Sequence, residues 1–208
     1  MSTPADIYVY KMTADNGGAP CVYRGMLSLA ICKPKIRKTA DEGALVFGFG
    51  GKRLGGRLIY AAYVTEKPPV GEYYANSRFL NRPDCIYRNV NGRPKRIENA
   101  QFHTGSDESP TDVGNHFEKA YVLLSKNFCY FGATGTTDYQ KCSPALMAML
   151  KRLKRGHRLN HDPEVRQELC ALAKQLWRTG LAGKQGEPSD SDKSRRCNTD
   201  TPSAKCSG

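Results

Sequence analysis

The stretch "ALVFGFGGKRLGGRLIYAAYVT", residues 44–65, sets two apolar runs on either side of a glycine-rich, cationic loop. Its reading decides between two kinds of fold. A dinucleotide-binding turn is G-x-G-x-x-G running from a strand into a helix, whose first amides meet a pyrophosphate. Here Gly48 and Gly50 are in place, but Arg53 stands where the third glycine belongs. A P-loop needs G-x-x-x-x-G-K-[ST], and Gly55-Gly56 is followed by Arg57-Leu58. The segment beyond, "RLIYAAYVT", has the composition of a strand and not of a helix. Both phosphate-cradle readings fail on that context. The stretch reads as a hairpin, strand–loop–strand, with Lys52, Arg53 and Arg57 on its connection, placed to meet phosphate from outside.

Working outward, the N-terminal two thirds is β-rich. "DIYVY" (6–10) alternates, with Ile7 and Val9 on one side and Tyr8 and Tyr10 on the other. "MLSLAIC" (26–32) puts Leu27, Leu29 and Ile31 on one face and stops at Lys33-Pro34, where proline ends pairing. "VGEYYANSRF" (70–79) predicts a short helix or an irregular segment. Residues 81–118 are polar and turn-rich, a long excursion of the kind that is functional or partly disordered. "YVLLS" and "NFCYFG" return as two strands joined through Lys126-Asn127. Two helices close the folded part. "SPALMAMLKRLKRG" (143–156) has Ser143 as N-cap, Pro144 at the first turn and Gly156 as its stop; Leu146, Met149, Leu150 and Leu153 form the apolar stripe. "DPEVRQELCALAKQLWRTG" (162–180) repeats that grammar with Val165, Leu169, Leu172 and Leu176. The expected class is α+β, a mixed sheet with two C-terminal helices packed against it. One domain is expected over 1–187. The polar segment 188–208, with few large apolar residues, is expected to be a disordered tail.

The 208 residues carry 32 Lys+Arg against 20 Asp+Glu, a formal charge of +12. The charges of residues 187–208 cancel, so the excess belongs to the residues before them. A polyanion is the favoured partner class, nucleic acid first, with binding that weakens steeply as salt rises. No run has the length and apolarity of a membrane span, and the opening "MSTPADIYVYKM" lacks the basic-then-apolar order of a signal peptide, which makes a cytoplasmic location the expectation. The eight cysteines contain no C-x-x-C pair, which excludes zinc fingers and ribbons; no metal and no cofactor are expected. A zinc deaminase is excluded by the lack of H-x-E with P-C-x-x-C.

Three stretches carry candidate chemistry. In "CKPKIRK" (32–38), Cys32 is crowded by Lys33, Lys35, Arg37 and Lys38. A thiol among cations is favoured as a nucleophile, but the sequence identifies no base for it. The competing reading is a buried cysteine whose basic neighbours point out to phosphate. In "KRGHRLNH" (154–161), Arg155, His157 and Arg158 suit a phosphate or a base edge, and His161 begins the next helix. His103 and His116 lie in the excursion with Asp107, Glu108 and Asp112 between them, at a spacing that fits no recognised catalytic or metal pattern. The catalytic candidates are thus Cys32, His157, His103 and His116. Tyr23, Tyr60, Tyr63, Tyr73, Tyr74, Tyr87, Tyr130 and Phe131 interleave with the basic residues; most read as sheet residues, the rest as stacking partners for bases.

"GGAPC" (17–21), "LAICKPKIRKTA" (29–40), "ALVFGFGG…GRLIYAAYVTEK" (44–67), "NFCYFG" (127–132) and "KRGHR" (154–158), in that order, resemble the nucleotide modification associated domain 2 family over about residues 5–188. That family occurs in bacteria and phages near enzymes that modify DNA bases. The resemblance implies recognition of, or action on, a modified nucleotide or DNA, and brings no established mechanism. Its matching polar positions are Cys32, Lys33, Arg37, Gly48, Arg57, Gly156, His157 and Arg158; Ala44 stands where an acidic residue is expected. The hairpin is also similar to PUA-like domains of the EVE and ASCH kind, which implies a small β-barrel as the alternative core. The first expectation is a nucleic-acid or nucleotide-binding protein that recognises a modified base, with Lys33, Lys35, Arg37, Lys52, Arg53, Arg57, Arg155 and Arg158 on phosphate and His157 and tyrosines at the base. The second is an enzyme of nucleotide or DNA base modification. The third is a partner of base-modifying enzymes.

Overall fold

The computed structural model describes residues 4, 6–104, 109–154 and 156–190. The strands and α-helices run, in chain order, β1 (Ile7–Met12), β2 (Cys21–Tyr23), β3 (Met26–Leu29), α1 (Pro34–Thr39), β4 (Leu45–Gly50), β5 (Leu58–Tyr63), β6 (Tyr87–Val90) and β7 (Arg93–Arg96). They continue with α2 (Ser109–Asp112), β8 (Leu123–Ser125), β9 (Asn127–Tyr130), α3 (Tyr139–Cys142), α4 (Pro144–Arg152), β10 (His157–Arg158), α5 (Pro163–Arg178) and β11 (Gly183–Lys184).

The protein is α+β around a mixed six-stranded sheet, ordered β10-β1-β4-β5-β9-β11. β1 and β4 are parallel, and β4–β5 is the antiparallel hairpin read from residues 44–65. Its connection folds through a 3-10 turn at Lys52–Leu54, with Gly55 in the left-handed region at φ 67°. Gly48 is needed for space: a Cβ there would run into the Tyr60 ring. The described strands form an open sheet edged by β10 and β11, not the closed barrel offered as the alternative.

Strand alternation divides the core as the sequence predicts. Ile7 and Val9 join Leu45, Phe47 and Leu58 on the face covered by α4 and α5. The stripes Leu146, Met149, Leu150 and Val165, Leu169, Leu172, Leu176 fill that layer, each side chain contributing about 1.5–3 kcal/mol on full burial. Tyr8, Tyr10 and Met12 point the other way, against Leu27, Leu29, Ile36 and Leu123. That second face is roofed by α1 and the three-stranded sheet β2-β3-β8. "YVLLS" and "NFCYFG" therefore belong to different sheets, with the chain crossing between them at Lys126. Among the described residues, no helix is long and apolar enough to cross a membrane.

Three expectations need correction. Ile31 does not extend the face of Leu27 and Leu29, because β3 ends at Leu29 and the chain turns into a third apolar cluster. That cluster is built largely from the polar excursion: Cys85, Tyr87, Phe102, Val113 and Phe117 bury with Phe79 against Ala30 and Ile31. Sparse aromatics, spaced without period, escape a periodicity reading. Residues 188–190, assigned to the tail, are held against the protein: Asp190 is buried, donates its N–H to the Asp15 carbonyl at 2.8 Å and accepts from the Asp15 N–H at 2.9 Å. The rest of the expected tail, 191–208, lies outside the described residues.

Candidate active site

Beyond β3 the chain reverses within a few residues. Cys32 and Lys33 both adopt left-handed backbone, φ 56° and 47°, before Pro34 opens α1. For a residue with a Cβ that conformation costs about 1–2 kcal/mol, so surrounding bonds must hold it. Two do. The Cys32 N–H donates to Asp112 Oδ1 at 2.7 Å, and Arg37 Nε donates to the Cys32 carbonyl at 2.6 Å. The sharp turn presents the Cys32 side chain at the junction of the third cluster and the surface, 8% exposed.

Across from it, the excursion delivers two buried groups. His103 Nε2 lies 3.5 Å from Cys32 Sγ, and His103 Nδ1 lies 3.1 Å from Asp112 Oδ2. Tyr87 Oη is 3.2 Å from the same Nδ1 and donates to Asp112 Oδ2 at 3.3 Å. A carboxylate accepts from Nδ1–H and so leaves Nε2 as the lone-pair nitrogen facing the thiol. Thiol, imidazole and carboxylate in this sequence have the order in which a nucleophile, a base and a group orienting the base would stand. His103 is itself left-handed, φ 56°, as is Phe117 at φ 64°. Strained backbone gathered around one cluster of polar groups is the pattern of a site held in shape by its surroundings.

Arg37 closes the assembly from behind. Its guanidinium, 0% exposed, donates Nη2 to the Asp112 carbonyl at 2.8 Å and lies 3.4 Å from Asp112 Oδ1, while Nη1 donates to the Tyr121 carbonyl at 2.6 Å. A buried carboxylate needs such a partner. In front, the thiol opens on a recess shared with Met12, Thr13, Ala14, Asn16, Ala19 and Lys33. The loop forming that wall is anchored: Asp15 Oδ1 accepts from the Tyr130 hydroxyl at 2.7 Å, and burial pushes the Asp15 carboxyl above its ordinary range.

The other predicted residues divide into three groups. Lys33 Nζ lies 5.3 Å from the centre of the Tyr10 ring, Tyr10 pairs with His157 between β1 and β10, and Lys35 is exposed. Burial first, and then the Lys35 charge, hold the His157 imidazole below its ordinary range. The motifs "CKPKIRK" and "KRGHR" thus meet on one edge, bringing Lys33, Lys35, His157 and Arg158 beside the Cys32 turn. At the hairpin, Lys52 and Arg53 are exposed and Arg57 is half-buried, and both arginines also bond within the protein. Arg53 clasps both Asp190 oxygens at 2.7 and 2.6 Å and the Thr13 carbonyl at 2.7 Å; Arg57 donates to the carbonyls of Leu54 at 3.0 Å and Ala133 at 2.6 Å. Arg37 is interior, so its expected outward placement is replaced by a place behind Asp112.

His116 is exposed, with Nδ1 3.1 Å from the Gly92 carbonyl, and does not join the cluster. Arg155, Asp107 and Glu108 lie outside the described residues. Tyr60, Tyr73, Tyr74, Tyr87 and Tyr130 are core residues and present no ring to solvent. In the sequence Asp112 is visible only as a member of the His/Asp cluster and Tyr87 only as a sheet or stacking residue; His103 stands 71 residues from Cys32, a separation no local motif spans. Among the described residues, no three His, Cys, Asp or Glu side chains are grouped to hold a metal ion.

Against known proteins, the family model described as nucleotide modification associated domain 2 matches residues 4–195. No curated protein and no solved structure matches the chain.

Proposed function

The chain belongs to the nucleotide modification associated domain 2 family, and from that premise we propose that it is an enzyme of nucleotide or DNA base modification with Cys32 as nucleophile. One observation carries the reading: the Cys32 thiol faces His103 Nε2 at 3.5 Å while Asp112 engages the opposite ring nitrogen at 3.1 Å. In these roles His103 takes the thiol proton, Asp112 and Tyr87 hold the ring, and Arg37 holds Asp112. Lys33, Lys35, His157 and Arg158 receive the phosphates of the substrate, which places its base at the recess in front of Cys32. Lys52 extends the same basic surface at the hairpin.

The exposed cations on that edge favour a second reading, recognition of a modified base in DNA without chemistry on it. Mass spectrometry of nucleosides separates the two. DNA from cells making the protein is expected to differ in one modified nucleoside from DNA of cells lacking it. An unchanged nucleoside profile, together with retained DNA binding, would overturn the enzyme in favour of the reader.

A further inference from the structure

Between Asp84 and Glu98 the chain carries Arg88, Arg93, Lys95 and Arg96 and no acidic residue. This stretch folds as the β6–β7 ribbon, a two-stranded sheet apart from the other two. Its turn is Asn91-Gly92, both left-handed at φ 52° and 79°, the two-residue connection that suits the twist of a hairpin. Asn89 Oδ1 accepts the Gly92 N–H at 2.8 Å and closes the turn. Both strands are tied down at their base. Arg88 donates to the Leu80 and Cys85 carbonyls at 2.9 and 3.2 Å, and Arg96 to the Ala100 and Phe102 carbonyls at 2.6 and 2.8 Å. The register pairs Val90 with Arg93 and Arg88 with Lys95, so strand alternation puts Val90, Arg93 and Lys95 on one outer face, all three exposed. Arg93 and Lys95 enter no ion pair among the described residues. Arg88 and Lys95 stand directly opposite each other, a like-charge pair that costs stability in a ribbon, and a polyanion laid on that face removes the cost.

Resting on the reading of the Cys32 site as one that acts on a nucleotide base, we propose that the substrate is duplex DNA and that the β6–β7 ribbon grips it, with Arg93 and Lys95 on phosphates. A two-stranded ribbon has the width that a major groove admits. A single strand is held instead by bases stacked on exposed rings, and the ribbon offers none, since Tyr87 at its base is buried. A strand of another protein is disfavoured as occupant: Pro94 gives β7 no N–H at its centre, and charged neighbours flank it. The ribbon is also continuous with the site. Tyr87, the first residue of β6, contacts His103 and Asp112 through its hydroxyl. From there to Val90 is about 10 Å at the strand rise, about three nucleotide steps along a DNA strand. The ribbon thus meets the nucleotides that flank the one at Cys32.

The test measures binding of the full chain, across a salt series, to a short unmodified DNA duplex, to one of its single strands and to a deoxynucleoside monophosphate. Replacing Arg93→Gln and Lys95→Gln together is expected to weaken duplex binding by about 10–100-fold near ~0.1 M salt and to reduce the slope of log K against log salt by about 2. Lys174→Gln with Arg178→Gln removes the same charge from exposed positions of α5 and is expected to change duplex affinity less than about threefold. Single-strand binding is expected to fall less than about threefold in the ribbon variant. Equal losses in the two double variants reduce the effect to net charge and overturn the ribbon. A single strand that loses as much as the duplex overturns the duplex assignment. A parent that binds the monophosphate but no duplex overturns this inference and leaves chemistry on free nucleotides standing. Ribbon-dependent duplex binding, with a nucleoside profile that Cys32→Ser does not alter, is the opposite result: the ribbon stands and the enzyme falls.

Discussion

Cys32→Ser is expected to abolish the change in DNA nucleosides while leaving DNA binding intact, and His103→Gln to lower its rate by about 10²–10⁴, the usual contribution of a positioned acid–base group. The serine hydroxyl is a far poorer nucleophile than a thiolate, and Ser nearly matches Cys in size at this 8% exposed position on the third cluster. Gln at 103 retains a polar side chain of similar reach but cannot accept a proton from Sγ. Two further variants isolate the site from the rest of the basic surface. His116→Gln leaves the rate unchanged because His116 turns to the Gly92 carbonyl. His157→Gln is expected to alter substrate affinity more than turnover, because His157 lies on the edge we propose receives phosphate. A His103→Gln protein that works at the parent rate contradicts the roles assigned.

Arg37→Ala is expected to destabilise the protein by about 3–5 kcal/mol, the loss that follows when one partner of a buried ion pair is removed. For a chain of this size that lowers Tm by roughly 6–20 °C. The deletion leaves the Asp112 carboxylate without its guanidinium and the Cys32, Tyr121 and Asp112 carbonyls without their Arg37 donor at once. Arg37→Lys recovers only part of the loss, since an ammonium cannot reproduce the planar fork. Had Arg37 stood on the surface meeting phosphate, as its neighbours in "KPKIRK" suggest, either substitution would change stability by about 0.5 kcal/mol or less. Thermal unfolding of both variants distinguishes these outcomes, and a Tm shift of about 2 °C or less for Arg37→Ala contradicts the buried role.

Much of the frame was legible because it rests on local periodicity. The hairpin of residues 44–65, the alternating faces of "DIYVY" and the two stripes ending in Leu153 and Leu176 all follow from apolar residues recurring at the strand or helix period. The helix stops were less so. α4 ends at Arg152, four residues short of Gly156, because the chain leaves to pair His157 and Arg158 with β1. Cys32 and His103 were each visible as reactive residue types, but their meeting was not. It depends on an excursion that folds inward on Tyr87, Phe102 and Phe117, and on Asp112 arriving from a four-residue helix. Long-range approach of this sort leaves no spacing to read. Charge misled in one respect: Arg37 looks like part of a phosphate surface in sequence, yet it is buried and bonds carbonyls and a carboxylate within the fold, while Arg53 and Arg57 bond carbonyls or a carboxylate at the surface.

The most direct measurement is the rate at which iodoacetamide alkylates Cys32 at neutral pH, read peptide by peptide beside Cys142, which is exposed. With His103 taking its proton, Cys32 is expected to react at least about tenfold faster than Cys142 despite its burial, and His103→Gln to bring it to or below the Cys142 rate. A Cys32 that reacts more slowly than Cys142, with no response to His103→Gln, would show an ordinary buried thiol and contradict the site.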